Sequence, residues 1–310
     1  MSTGKFGAIA QPDMRRVITY LSGGIGNQLF IYAAAWAFAQ REGLELILDV
    51  SAFPRDSLYR RTYALQYFNL GEVQLIDDHR TWDFIYYRLY GRYRRRFPAM
   101  PPRLGPILGE TDYLQFEPLT VSGPIRLFPT MYVLGYRQNE WYFADQAEGL
   151  RRKLEFAFEP SIQARRRADE ILACNAVAVH FRQLHQVPSG ETRPNREIPQ
   201  LQMTYYARAV EMMRNRLPGA RFFCFGDTLE NLDRLVEPGP DLVVCPPVSD
   251  GPPDISDLWL MTKCRHSIIS NSTFGWWAAW LGAGPDSRVL CPDTRGFVNG
   301  IAPAAGWEVI

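Results

Sequence analysis

No apolar run in this 310-residue chain approaches the ~20 residues needed to span a bilayer, so any membrane contact is expected to be peripheral. The first 16 residues are polar and contain proline, and no N-terminal segment combines basic residues with an adequate apolar stretch and a cleavage site. A cytoplasmic protein is expected, in which the triplet Asn271-Ser272-Thr273 does not serve as a glycosylation site. Net charge is almost absent: 34 Lys and Arg against 33 Asp and Glu leave +1, which gives no general reason to expect nucleic acid as a partner. The five cysteines (Cys174, Cys224, Cys245, Cys264 and Cys291) are widely spaced and mostly inside apolar runs. They form no zinc or disulfide pattern and read as reduced core thiols. There is no internal repeat and no long low-complexity segment.

What is present is a chain with 46% hydrophobic residues, long enough for two domains each burying a core. The most informative stretch is Ser22-Gly23-Gly24-Ile25-Gly26-Asn27-Gln28-Leu29, between the apolar run Val17 to Leu21 and the helical run Ile31 to Gln40. It reads as strand, glycine loop, helix. Glycines bring the backbone close to a ligand, and the helix behind presents unpaired N–H groups and a partial positive charge. Asn27 and Gln28, amides at the helix start, are placed to face a ligand. Gly24-x-Gly26-x-x-Leu29 nearly repeats the dinucleotide fingerprint, and Asp49 sits about where a ribose-binding acid would be, but Leu29 replaces the third glycine. That substitution argues against a nicotinamide cofactor.

Beyond this β-loop-α-β unit (residues 16–49), the proline-rich region from Asp77 to Pro129 suggests loops and short elements, and Trp141 to Phe156 reads as a helix. Glu159-Pro160 and the polar run Gln163 to Asp169 mark the region of a domain boundary, dividing the chain into 1–160 and 161–310. In the second part, apolar runs at 176–181, 221–225, 241–245, 267–270 and 288–291 alternate with helical patterns at 201–216, 229–235, 254–264 and 274–281. The expected fold class is α/β, with a parallel sheet whose ligands gather beyond the carboxyl ends of its strands.

Several residues lie at those ends. Arg182 closes an apolar strand and can hold phosphate oxygens or pair with a nearby acid. His180 points to the same side of that strand, as a ligand contact or a satisfied core group. Asp227 can cap the next helix or accept the paired N–H donors of a guanine edge. Ser272 and Thr273 open a helix, where hydroxyls and backbone amides either cap it or cradle an anion. Trp276 and Trp280, four apart, read as core. For a proton-accepting base, His185, Glu191, Asp13 and Asp254 are available without a spacing that selects one.

Gly23-Gly24-Ile25-Gly26-Asn27-Gln28-Leu29-Phe30-x-Tyr32-Ala33 resembles the N-terminal signature of the family 11 glycosyltransferases, the galactoside α-1,2-fucosyltransferases. Asp257-Leu258-x-Leu260-Met261-x-x-Cys264 and Ile269-x-Asn271-Ser272-Thr273-Phe274-x-Trp276-Trp277-x-Ala279-Trp280 resemble its C-terminal one, and the likeness runs from about residue 17 to 297. The resemblance implies a GT-B-like pair of Rossmann-like α/β domains, the first (1–160) on the acceptor side and the second (161–310) binding the donor. It implies GDP-fucose as donor substrate, no required metal or other cofactor, and inverting transfer to the 2-hydroxyl of a terminal β-galactoside, in an oligosaccharide or lipid-linked glycan of the bacterial surface. His180 and Asp227 then contact guanine, Arg182 and the Ser272/Thr273 helix start hold the phosphates, and Asn271 and Phe274 belong to the same donor site. Gly24, Gly26 and Asn27 border the fucose, with Arg182 and Asn27 as the catalytic candidates. The chain departs from the family where His-x-Arg-Arg-x-Asp is replaced by His180-Phe181-Arg182-Gln183-Leu184-His185, and where Thr228 rather than a second acid follows Asp227. A slow or specialised enzyme, one tuned to another GDP-sugar or acceptor, or a GDP-sugar- or glycan-binding protein without activity follows from those changes. The arginine- and aromatic-rich stretch Tyr86 to Phe97, including Arg88 to Arg96, reads as a peripheral contact with the inner membrane face, a solvated helix face or an acceptor-site wall.

Overall fold

The protein is described by a computed structural model covering residues 15–57, 59–77, 107–108, 119, 129–182, 184–186, 192–194, 199–226, 229, 232–295 and 300–310. Strand β1 (Arg16–Tyr20) leads through the glycine loop into helix α1 (Ile25–Glu42), which is followed by β2 (Glu45–Asp49). α1 is buried on nearly every face from Ile25 to Ala39, as its run of alanines and large apolar residues requires. It stops at Gly43, whose φ of 62° is the left-handed turn that glycine adopts without strain and whose N–H bonds Ala39 O. Strands β3 (Gln74–Ile76), β4 (Ile107–Leu108) and β5 (Thr130–Val133) complete the first sheet. Its order is β3-β2-β1-β5-β4, and every pairing is parallel.

Short helix α2 (Ala147–Lys153) and helix α3 (Ile162–Leu172) then carry the chain towards the second sheet. Central strand β6 (Ala176–Phe181) is buried along its whole length. After it come the hairpin strands β7 (Leu184–Gln186) and β8 (Thr192–Pro194), helix α4 (Pro199–Arg216), β9 (Arg221–Gly226) and β10 (Leu242–Val244). Helix α5 (Pro253–Met261), β11 (His266–Ile268), helix α6 (Thr273–Gly282), β12 (Val289–Cys291) and β13 (Glu308–Val309) finish the chain. The second sheet runs β10-β9-β6-β11-β12-β13, again wholly parallel, as the alternation of apolar runs and helical patterns implied. All five cysteines are free thiols, and Trp276, Trp277 and Trp280 are buried. No helix among the described residues is long and apolar enough to cross a membrane.

One expectation changes. The run Trp141 to Phe156 is not one helix: two tight 3₁₀ turns (Glu140–Tyr142 and Ala144–Gln146) precede α2. Asn139 starts the first turn by accepting the Trp141 N–H, and Phe143 leaves the 3₁₀ conformation between the two turns (φ −139°, ψ 8°), with both Tyr142 and Phe143 buried. The polar run Gln163 to Asp169 is the middle of α3, capped by Ser161 and burying Ala164, Ala168 and Ile171. Strand β5 begins directly after Pro129 and is buried at all four positions beside β1, so part of the first sheet's core comes from the edge of the proline-rich region. Proline is tolerated at the start of a strand, and it masks the short run behind it.

Candidate functional site

The first turn of α1 is held in place from below. Gln28, 1% exposed, donates through Nε2 to the carbonyls of Gly23 and Thr62, both at 2.9 Å, and accepts the Ala64 N–H through Oε1 at 2.9 Å. The expectation that Gln28 faces a ligand is therefore corrected: its amide ties the glycine loop to residues 62–64. Asp49 is also turned inward, 3% exposed, with Oδ1 accepting the Ser51 N–H at 3.0 Å. It is not a surface acid waiting for a ribose. Asn27, by contrast, is half-buried on the wall of a cleft, with Oδ1 accepting from Gln138 Nε2 at 3.0 Å. Gly23 has φ +77°, and a Cβ there would stand 2.7 Å from Asn27 Nδ2, so both conformation and space call for glycine.

Neither α1 nor α6 has a side-chain cap or an acid in its first turn. Ser272 occupies the N-cap position of α6 in extended conformation, yet its hydroxyl makes no capping bond. The two helix starts meet. A Cβ on buried Gly26 would lie 2.5 Å from the carbonyl carbon of Thr273, 2.6 Å from its Oγ1 and 2.7 Å from the Phe274 nitrogen. Gly26 is thus the residue that lets two positive helix ends approach, at facing carboxyl edges of the two sheets. Such a pair of uncapped starts favours an anion.

His180 and Arg182 come from the end of β6. His180 is 4% exposed, its Nδ1 lies 2.9 Å from Ser270 Oγ, and its ring stacks on Phe274 with centroids 5.4 Å apart. Gly275 makes the room, since a Cβ there would stand 2.7 Å from Nδ1. Burial first, and then the nearby Arg182 charge, push the imidazole down to about 3, so it is neutral at working pH. Arg182 is half-buried directly after the strand. Asn271 accepts the Ile301 N–H at 3.1 Å, which anchors the loop leading into α6. The structure therefore brings Gly26, Thr273, Phe274 and His180 into contact, with Gly24 and Asn27, in the same first turn as Gly26, on the cleft side. Asp227 lies outside the described residues, as do Gln183, Thr228, Asp13, Glu191, the side chain of His185 and the stretch 86–97. Asp254 is exposed in the first turn of α5. Among the described residues no group of three His, Cys, Asp or Glu is placed to hold a metal ion.

A cleft of about 760 Å³ opens at the carboxyl edge of the first sheet, lined by Gly23, Gly24, Asn27, Ser51, Arg61 and Tyr136 among others. Arg61, Ser51, Tyr136 and Gln138 escaped the sequence reading. The signal was available for Ser51, which comes just after β2, because ligands gather beyond the carboxyl ends of the strands in both sheets.

Residues 116–295, more than half of the chain, match glycosyl transferase family 11. Over 275 residues the chain is 26% identical to an α-1,2-colitosyltransferase of Escherichia coli, covering 86% of this chain and 88% of that protein. Over 290 residues it is 25% identical to the O-antigen biosynthesis glycosyltransferase WbnK of Escherichia coli, covering 88% and 92%. Its fold is similar to that of the NodZ α-1,6-fucosyltransferase of Bradyrhizobium in a crystal soaked with GDP-fucose, with a TM-score of 0.50 and 19% identity over 86% of this chain and 92% of that one. With its two parallel α/β sheets arranged as in GT-B fucosyltransferases, this chain belongs to glycosyl transferase family 11 and is a glycosyltransferase.

Proposed function

We propose that the protein transfers L-fucose from GDP-fucose to the 2-hydroxyl of a terminal β-galactoside, with inversion and without a metal, in the synthesis of a bacterial surface glycan. The observation that carries this reading is the meeting of two uncapped helix starts at Gly26 and Thr273, beside the end of the strand that bears His180 and Arg182. A diphosphate is the anion such a junction suits, and Asp227 is assigned to the guanine end of the donor. Neutral His180, bonded to Ser270 and stacked on Phe274, offers its remaining ring edge to a neutral base rather than a charge to a phosphate.

In the reaction the acceptor oxygen forms a bond to the anomeric carbon, while the bond from that carbon to the β-phosphate oxygen breaks. GDP leaves with the electron pair, and the acceptor proton passes late to a phosphate oxygen or to water. Negative charge grows on the leaving phosphate in an oxocarbenium-like transition state. Fixed donors aimed at that charge supply much of the rate, and Arg182 with the α6 start is the group assigned to it. Asn27, at the start of α1, borders the transferred sugar.

The relative named as a colitosyltransferase favours a second reading, in which the donor is GDP-colitose. Colitose has one hydroxyl fewer than fucose, so mass spectrometry separates the two. Purified protein is incubated in EDTA with lactose and other β-galactosides and each GDP-sugar in turn. A gain of one deoxyhexose from GDP-fucose supports fucosyl transfer, and NMR of the product then reads the linkage. Transfer from GDP-colitose alone reassigns the donor. GDP binding without transfer to any acceptor would indicate a binding protein and overturn the catalytic reading.

A further inference from the structure

Arg61 lies on the wall of the cleft beside α1, half-buried. Its backbone N–H donates to Asp56 Oδ2 at 3.0 Å, but among the described residues its guanidinium has no hydrogen-bond or ion-pair partner. The turn that presents it is built on Asp56, which also accepts the Tyr59 N–H at 2.8 Å and, through its carbonyl, the Arg60 N–H at 2.9 Å. Arg60 adopts φ 51°, a conformation uncommon outside glycine, and the chain thereby directs Arg61 back over the glycine loop. A Cβ on Gly24 would stand 3.6 Å from Arg61 Nη1, and Gly24 is the N-cap of α1. A guanidinium set against the positive end of a helix is unfavourable by itself. At the same cleft lies Ser51, 2% exposed, with a hydroxyl that has no hydrogen-bond partner. A guanidinium without a partner on a cavity wall is satisfied by a ligand rich in anionic oxygen.

We propose that Arg61 binds the diphosphate of the nucleotide-sugar donor, holding it from the first sheet while Arg182 holds it from the second. The inference rests on the donor reading above and extends it. It makes donor binding a bridge between the two sheets, and it supplies a second guanidinium to a site where Gln183, next to Arg182, carries no charge.

The test is calorimetric titration of the whole protein with GDP, GMP and guanosine, before and after Arg61→Gln and Arg61→Lys, with melting temperatures checked for each. The expected result is a loss of about tenfold or more in GDP affinity for Arg61→Gln, partial recovery for Arg61→Lys, and unchanged guanosine affinity. Equal GDP affinity in all three proteins overturns the proposal alone. So does unchanged GDP affinity with a raised acceptor KM, which would assign Arg61 to an anionic acceptor instead. No guanine-nucleotide binding by the unsubstituted protein would remove the donor reading, and this proposal with it.

Discussion

Neighbouring amides at the start of α1 do different work. Gln28 is buried with three hydrogen bonds to backbone, whereas Asn27 faces the cleft. Gln28→Ala strands two carbonyls and an amide, and a loss of about 2 kcal/mol or more is expected in denaturant unfolding. Asn27→Ala should leave that midpoint nearly unchanged while lowering kcat. Arg182→Ala should abolish detectable transfer with circular dichroism intact, and near-normal turnover would remove Arg182 from the mechanism. Two buried groups also make stability depend on pH in opposite senses. His180 has a folded-state value near 3, below that of the unfolded chain, so the unfolded state binds more protons between about 3 and 6.5 and stability falls on acidification through that window. Asp257, raised to about 7 by burial and then by Asp254, has Oδ1 buried without a partner. Its folded state binds more protons above the unfolded value near 3.8, so stability falls as pH rises towards about 7. Asp257→Asn is therefore expected to raise the melting temperature more at pH 8 than at pH 5. An equal change at both would show that the carboxyl is ionised throughout.

At the scale of elements, the contact of α1 with α6 is decided by one missing side chain. Gly26→Ala puts a methyl group within 2.5 Å of the Thr273 backbone, where no rotamer change relieves it. The helices must separate, at about 1–3 kcal/mol, and the anion site opens with them. Calorimetry should show a lower melting temperature together with weakened GDP binding, whereas a silent substitution would mean the two helix starts do not act together. The strands and long helices were legible because their patterns are local: β6 is apolar at every position but His180, and α1 is an apolar helix ended by Gly43. The turns at 140–146 were not legible, since they exist to seat Phe143 against Trp277, 5.4 Å away and stacked, which no local pattern encodes.

At the scale of the molecule, the two sheets share one apolar cluster. Phe30 of α1 lies 4.6 Å from Trp276 and 5.0 Å from Trp277 of α6, ring centre to ring centre. Trp280 donates to Glu140 at 2.8 Å, and the Arg151 guanidinium sits 3.9 Å above its ring. Because this cluster joins residues from both halves, heating should give a single cooperative transition, and two resolved transitions would contradict it. Trp277→Ala, at a fully buried position, is expected to cost about 3–5 kcal/mol and to lower that one transition without splitting it.

Local chemistry alone determined the alternation of strand and helix, the glycine loop, the hydroxyl-bearing start of α6 and the resemblance to a transferase family. Each depends on residues within a few positions of one another. Only the tertiary structure decided that Gly26 rests on Thr273 across some 247 positions of sequence, that Gln28 is structural while Asn27 lines a cleft, and that Arg61 stands over Gly24. These facts depend on which surfaces the folded chain presses together. Steric exclusion and the demand that buried polar groups find partners settle them between segments distant in sequence, beyond the reach of any local pattern.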